Sequence, residues 1–149
     1  MKIAIFTLGC KVNQADSQSI QELFLAAGYE LVAPEETADI YIINTCVVTN
    51  VGQQKSRQII RRFIGRNPQA LIVVTGCYPQ TAPEEVREIA GVDLIVGNQD
   101  RDKLVTLVGA ALIAKTPQAA VRNIAEVQGF EELPIGLHGD KTRAFLKIQ

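Results

Sequence analysis

Tryptophan is absent from this chain, and histidine and methionine occur once each. A single histidine leaves little scope for a Cys–His nucleophile pair or a histidine-rich metal site. Cysteine is almost as scarce. The 149 residues hold three, an odd number that cannot form a closed disulfide framework. Such usage points to a reducing compartment, and the cytosol (cytoplasmic localisation) is expected. No apolar run reaches the ~20 residues that span a bilayer, so no membrane association is expected. A strand-like segment begins at Lys2, which leaves no room for a signal peptide. Fifteen Lys+Arg against sixteen Asp+Glu give a net charge of −1, which argues against a basic coat over the whole surface. One absence is local: residues 40–83 contain no Asp or Glu, yet carry Lys55, Arg57, Arg61, Arg62 and Arg66. Several motifs are missing too. There is no G-x-x-x-x-G-K-S/T, no G-x-G-x-x-G behind the first strand and no C-x-x-C. These gaps argue against a P-loop, a dinucleotide fingerprint and thioredoxin-like chemistry. Asp16 stands six residues after Cys10, where a phosphate-cradling cysteine phosphatase loop needs arginine.

What is present is a strand–helix alternation of about one domain's length. Ile3–Leu8, Ile40–Ile43, Leu71–Val74 and Val92–Val96 are short, nearly continuous apolar runs, the mark of strands buried on both faces. Tyr29–Val32 reads as a further short strand. Between them the spacing predicts a helix over Gln14–Ala27, with Asn13 as N-cap, Gly28 as the C′ glycine and Ile20, Leu23, Phe24 and Ala27 on its apolar face. A second helix is expected over Val51–Arg66, with Asn50 and Gln53 as a capping pair and Ile59, Ile60 and Phe63 as its core arc. Thr81-Ala82-Pro83-Glu84 has capping-box spacing for a short helix closed by Gly91, and a last helix is expected over Asp100–Ala114. The fold class is therefore α/β, an open, mostly parallel, flavodoxin- or Rossmann-like sheet with helices on both faces. Residues 1–114 form its domain. Residues 115–149, with Pro117, Gly129, Pro134, Gly136 and Gly139 interrupting Val121–Ile124 and Ala144–Ile148, read as an extended linker. The strand-like ending Phe145–Gln149 suggests a chain that continues into another domain.

Cys10, Cys46 and Cys77 each fall just past a predicted strand and just before a helix. In an open parallel sheet those strand ends line the ligand crevice, so the three converge. Helix N-termini there would lower thiol pKa values and favour thiolates. Soft sulfur ligands suit zinc, copper(I) or an iron–sulfur cluster, and the competing reading is three ordinary buried cysteines. A closed zinc site needs a fourth ligand, and the only histidine is His138 in the tail. The five cations lie on the helix behind Cys46: Lys55, Arg62 and Arg66 on one flank of its core arc, Arg57 and Arg61 on the other. They read either as a solvated surface or as a contact for phosphate or an anionic cluster. His138, Tyr41 and Met1 read as structural or incidental.

The sequence resembles the radical-SAM methylthiotransferases at three places. These are Thr7-Leu8-Gly9-Cys10-Lys11-Val12-Asn13-Gln14-Ala15-Asp16-Ser17; Asn44-Thr45-Cys46-Val47-Val48-Thr49 with Lys55-Ser56-Arg57 behind it; and Val74-Thr75-Gly76-Cys77. The resemblance covers nearly the whole chain, as the family's N-terminal domain. It implies that Cys10, Cys46 and Cys77 ligate an auxiliary four-iron, four-sulfur (4Fe-4S) cluster, with Asn13, Asp16 and Asn44 supporting their loops. It further implies a central domain beyond residue 149 whose C-x-x-x-C-x-x-C motif binds a second 4Fe-4S cluster and S-adenosylmethionine. The family inserts sulfur into an unactivated C–H bond and methylates it, so this chain alone is expected to be inactive and to hold no catalytic residue. Lys11-Val12-Asn13-Gln14 and the Gln53–Gln58 run most resemble the branch acting on N6-threonylcarbamoyladenosine beside the tRNA anticodon. That makes tRNA the implied partner, and Lys55, Arg57, Arg61, Arg62 and Arg66 its candidate contacts. The sulfur donor is not implied. The contrasting expectation is a flavodoxin-like domain with no cluster that binds a small ligand or senses redox state.

Overall fold

The structure, a computed structural model, describes residues 1–47, 50–114 and 116–122, with the backbone alone at Asn50. Six strands form one parallel sheet: β1 (Lys2–Thr7), β2 (Glu30–Val32), β3 (Ile40–Thr45), β4 (Leu71–Gly76), β5 (Leu94–Val96) and β6 (Gln118–Ala120). Their order is β2-β1-β3-β4-β5-β6, with every neighbouring pair parallel. The first five follow the flavodoxin-like order, whose switch point lies between β1 and β3. The helices are α1 (Lys11–Ala26), α2 (Asn50–Arg66), α3 (Cys77–Thr81), α4 (Pro83–Arg87) and α5 (Leu104–Ala114), the last entered through a 3-10 turn, Arg101–Lys103.

Strand side chains alternate between two cores, as period two requires. Ile3, Ile5, Ile40, Ile42, Val73, Leu94 and Val96 face Ile20 and Phe24 of α1 and Leu104 and Val108 of α5. Ala4, Tyr41, Ile43, Ile72, Val74 and Ile95 face Ile60 and Phe63 of α2, Tyr78 of α3 and Val86 of α4. Burial on both faces explains why the central strands read as unbroken apolar runs. Each fully buried Ile or Leu contributes roughly 1.5–3 kcal/mol. Tyr41 is structural, as expected: its buried hydroxyl donates to Glu36 O at 2.8 Å and accepts from Ala38 N at 3.1 Å.

Several local expectations are corrected. Helix α1 starts one turn early, capped by Cys10 rather than Asn13, because Asn13 Oδ1 reaches back from the first turn to accept from Cys10 N at 3.4 Å. Gly28 does follow the cap with φ 84, but on the apolar face Leu23 is only half-buried and Ala27 is exposed. Helix α3, which contains Pro79, is an addition to the expected elements. The proline sits in the first turn, where no N–H is needed. The Thr81–Glu84 capping box does not form. Thr81 Oγ1 donates to Cys77 O at 2.9 Å and closes α3, while Ala82 caps α4, which ends at Arg87 before Gly91. The segment after 114 supplies β6, paired with β5. The side chain of Asn50, Val48-Thr49, Asn123-Ile124, His138 and Ala144–Ile148 lie outside the described residues.

Candidate functional site

The carboxyl ends of β1, β3 and β4 carry one cysteine each. Cys10 caps α1 and is exposed, Cys46 follows β3 and is buried, and Cys77 opens α3 and is half-buried. Glycines make two of these approaches possible. Gly9 has φ 147, and a Cβ there would lie 2.6 Å from Cys46 Cβ and 2.7 Å from Asn13 Oδ1. Gly76 has φ 101, and a Cβ there would lie 2.5 Å from Asn44 Oδ1 and 2.9 Å from Thr45 N. No side chain fits at either position.

Beneath the cysteines lies a buried polar network. Asn13 Nδ2 donates to Asn44 Oδ1 at 3.0 Å, and Asn44 Nδ2 donates to Asn13 O and to Ser17 Oγ, both at 3.0 Å. Thr7 Oγ1 donates to Ser17 Oγ at 2.7 Å, and Thr45 Oγ1 to Thr75 O at 2.9 Å. Cys10 Sγ donates to Asn13 Oδ1 at 3.2 Å, and Ser56 Oγ from α2 donates to Cys46 O at 3.3 Å. Asn13 and Asn44 therefore fix the cysteine loops against one another. Asp16 forms a buried ion pair with Arg101 from the turn after β5.

Cys77 is the thiol with a directed environment. Burial pushes its pKa up, a hydrogen bond from Asn98 pulls it down, and the nearby Cys46 and Cys10 push it up again, with Arg101 opposing. The expectation of a depressed thiol therefore fails at Cys77, where desolvation outweighs the Asn98 hydrogen bond and the Arg101 charge. Among the described residues, no three His, Cys, Asp or Glu side chains form a group that could hold a single metal ion. Among the described residues the donor set is three sulfurs without a fourth protein ligand, which does not make a closed zinc site. It does suit a cluster, whose several irons accept thiolates from separated loops.

The basic helix divides. Arg57 Nε donates to Tyr78 Oη at 2.6 Å, and its guanidinium ion-pairs with Glu85 of α4. These bonds raise the Arg57 pKa and hold the Glu85 carboxyl below its usual range, while burial pushes the Tyr78 phenol up. Arg66 donates to Pro34 O and lies over the Phe63 ring at 5.7 Å. Lys55, Arg61 and Arg62 are exposed. The acid-free stretch thus takes an acid partner from another helix for Arg57, leaving three cations facing solvent.

Sequence reasoning missed Ser17, Ser56, Gln80, Asn98 and Arg101. Asn98 was the most accessible of these, because Gly97-Asn98 ends β5 as Gly76-Cys77 ends β4. A groove of about 710 Å³ at the opposite end of the sheet, lined in part by Asp39, Asn67, Gln69 and Asp93, contains none of these residues. Among the described residues, no helix is long and apolar enough to cross a membrane.

Residues 2–97 match the model of the uncharacterized protein family UPF0004. The chain is 50% identical over 147 residues to the threonylcarbamoyladenosine tRNA methylthiotransferase MtaB of Bacillus subtilis (strain 168), covering 99% of this chain and 33% of that protein. Its namesake in Aquifex aeolicus (strain VF5) is 40% identical over 152 residues, covering 100% of this chain and 36% of that protein. The ribosomal protein uS12 methylthiotransferase RimO of Chloroflexus aurantiacus is 34% identical over 128 residues, 83% of this chain and 28% of that protein. The chain thus spans about a third of the length of these relatives.

Proposed function

The chain belongs to the UPF0004 family, and from that premise we propose that it is the N-terminal, auxiliary-cluster domain of a radical-SAM tRNA methylthiotransferase acting on N6-threonylcarbamoyladenosine. The observation that carries this reading is the placement of Cys10, Cys46 and Cys77 at the carboxyl ends of three adjacent parallel strands, over a buried network of amides and hydroxyls. The similarity to threonylcarbamoyladenosine tRNA methylthiotransferases supports the choice of branch.

In this reading the three cysteines hold a 4Fe-4S cluster. Cys10, Cys46 and Cys77 would hold it through three thiolates, and the cluster would supply a position able to bind the sulfur to be transferred. The chain's own residues prepare the site. Gly9 and Gly76 allow the loops to approach, Asn13 and Asn44 lock the β1 and β3 loops together, and Ser56 ties α2 to the Cys46 backbone. The domain is residues 1–114 with β6 added to its sheet, and residues 115–149 lead toward a domain that binds S-adenosylmethionine and the second cluster. The setting is cytosolic and the substrate is tRNA. Lys55, Arg61 and Arg62 are the cations available to its phosphates, since Arg57 and Arg66 are engaged within the fold.

Iron and acid-labile sulfide measured after anaerobic reconstitution test this reading. About four of each per chain are expected, with stable assembly lost in Cys10→Ala, Cys46→Ala and Cys77→Ala. A well-folded parent that takes up neither would return the protein to a cluster-free ligand-binding domain. In the whole enzyme, Arg61→Glu with Arg62→Glu should weaken tRNA binding and lower the salt slope by about 1 for each phosphate no longer neutralised. Unchanged affinity and slope would remove α2 from the RNA contact.

A further inference from the structure

The fourth strand end, after β5, brings no cysteine to the site but brings a directed amide. Asn98 Nδ2 points at Cys77 Sγ from 4.0 Å, a long hydrogen bond to sulfur. Its placement is enforced. Asn98 N donates to Gln80 Oε1 at 2.8 Å, and Gln80 Nε2 donates to Arg122 O at 2.9 Å, so one side chain of α3 clamps the β5 loop to the segment after β6. Gly97 is required for this clamp, because a Cβ there would collide with Gln80 Oε1. Gln80 and Cys77 share α3, so the helix that presents the sulfur also aims the amide.

We propose that Asn98 is a positioning residue for Cys77. Its amide donates to the ligating sulfur and raises the reduction potential of the bound cluster, with Gln80 holding the amide in line. The proposal rests on the cluster reading above. A donor facing a ligand sulfur stabilises the more electron-rich, reduced cluster, and such outer contacts are one of the levers that set potential. Cys10 is placed differently: its sulfur donates to Asn13 Oδ1, which is an acceptor. Among the described residues, Asn98 thus gives the Cys77 sulfur a donor where the Cys10 sulfur meets an acceptor.

The test is a redox titration of the anaerobically reconstituted protein, followed optically, with iron and sulfide measured on every sample. Asn98→Ala should carry the parent's iron and sulfide and titrate at a more negative potential. Asn98→Asp, which sets a charge beside the sulfur, should shift it further in the same direction. Asn98→Ser keeps a donor and should shift least, while Gln80→Ala should shift less than Asn98→Ala. Cluster loss in Asn98→Ala that Asn98→Ser restores would also support the role. Loaded Asn98→Ala and Asn98→Asp proteins that both titrate with the parent overturn it and leave the cluster reading intact. A folded parent that loads no cluster overturns both.

Discussion

The two ends of the sheet solve the same problem with different chemistry. At the amino end, strand N–H groups are met by carboxylates: Asp39 Oδ2 accepts from Lys2 N at 2.7 Å and Asp93 Oδ2 from Ile72 N at 2.8 Å. At the carboxyl end, the buried Asn13, Ser17, Asn44, Thr45 and Thr75 bond to one another and to backbone carbonyls. The change occurs within β3, where Ile40–Ile43 give way to Asn44-Thr45 without any gain in exposure. Buried amides and hydroxyls contribute little net stability when satisfied and cost much when orphaned. Their concentration at one end therefore marks where geometry is fixed for a purpose beyond folding.

The contrast is sharpest at two glycines with left-handed backbones. Gly76, at the cysteine end, has the Thr45 backbone where a Cβ would go, whereas Gly28, behind α1, has nothing within 4 Å of that position. Gly76→Ala should cost about 3 kcal/mol or more, since backbone strain and a collision with main chain combine. Asn44→Ala should cost about 1–3 kcal/mol by stranding Asn13 and Ser17. Its effect should also be non-additive with Asn13→Ala, because both belong to one network. Gly28→Ala should cost only about 1 kcal/mol, the conformational penalty alone. Urea denaturation midpoints at constant slope measure all of these. Equal losses at Gly76 and Gly28 would erase the difference between the two ends.

The smallest effect concerns Glu85. Its folded-state pKa is lowered by the Arg57 hydrogen bond first and by Tyr78 second. Its contribution is therefore present above the unfolded carboxylate value and is lost as pH falls through the lowered folded one. Glu85→Gln should flatten that acid limb of stability, and high salt should weaken it in the parent, because the pair is partly exposed. Parallel pH profiles for parent and variant would show that Arg57 and Glu85 meet without consequence.

Much of this arrangement is legible in the order of the amino acids. Runs such as Ile40–Ile43 alternate with helical patterns, which points to a parallel sheet covered on both faces, so the fold class and the strand-end positions of the cysteines follow from hydrophobic pattern. Three features escape that reading for separate physical reasons. Gln118-Ala119-Ala120 is short and weakly apolar, and its pairing comes from β5 rather than from its own propensity. Helix α3 hides behind a proline that the first turn tolerates. Asn98 and Gln80 acquire their roles from elements that meet only after folding, so no spacing rule connects 80, 98 and 122.

The lengths of the strands carry one last implication. The six-residue strands β1, β3 and β4 lie inside the sheet, and its borders, β2 and β6, are three residues each. An outer strand with unpaired N–H and C=O groups is a template on which another chain can polymerise into fibrils. Among the described residues each border offers few groups for a second molecule to grip, and the longer apolar strands stand two places in from one side and one from the other. The same layout that gathers the cysteines at the middle of the sheet thus also keeps its longest strands away from edge-to-edge pairing.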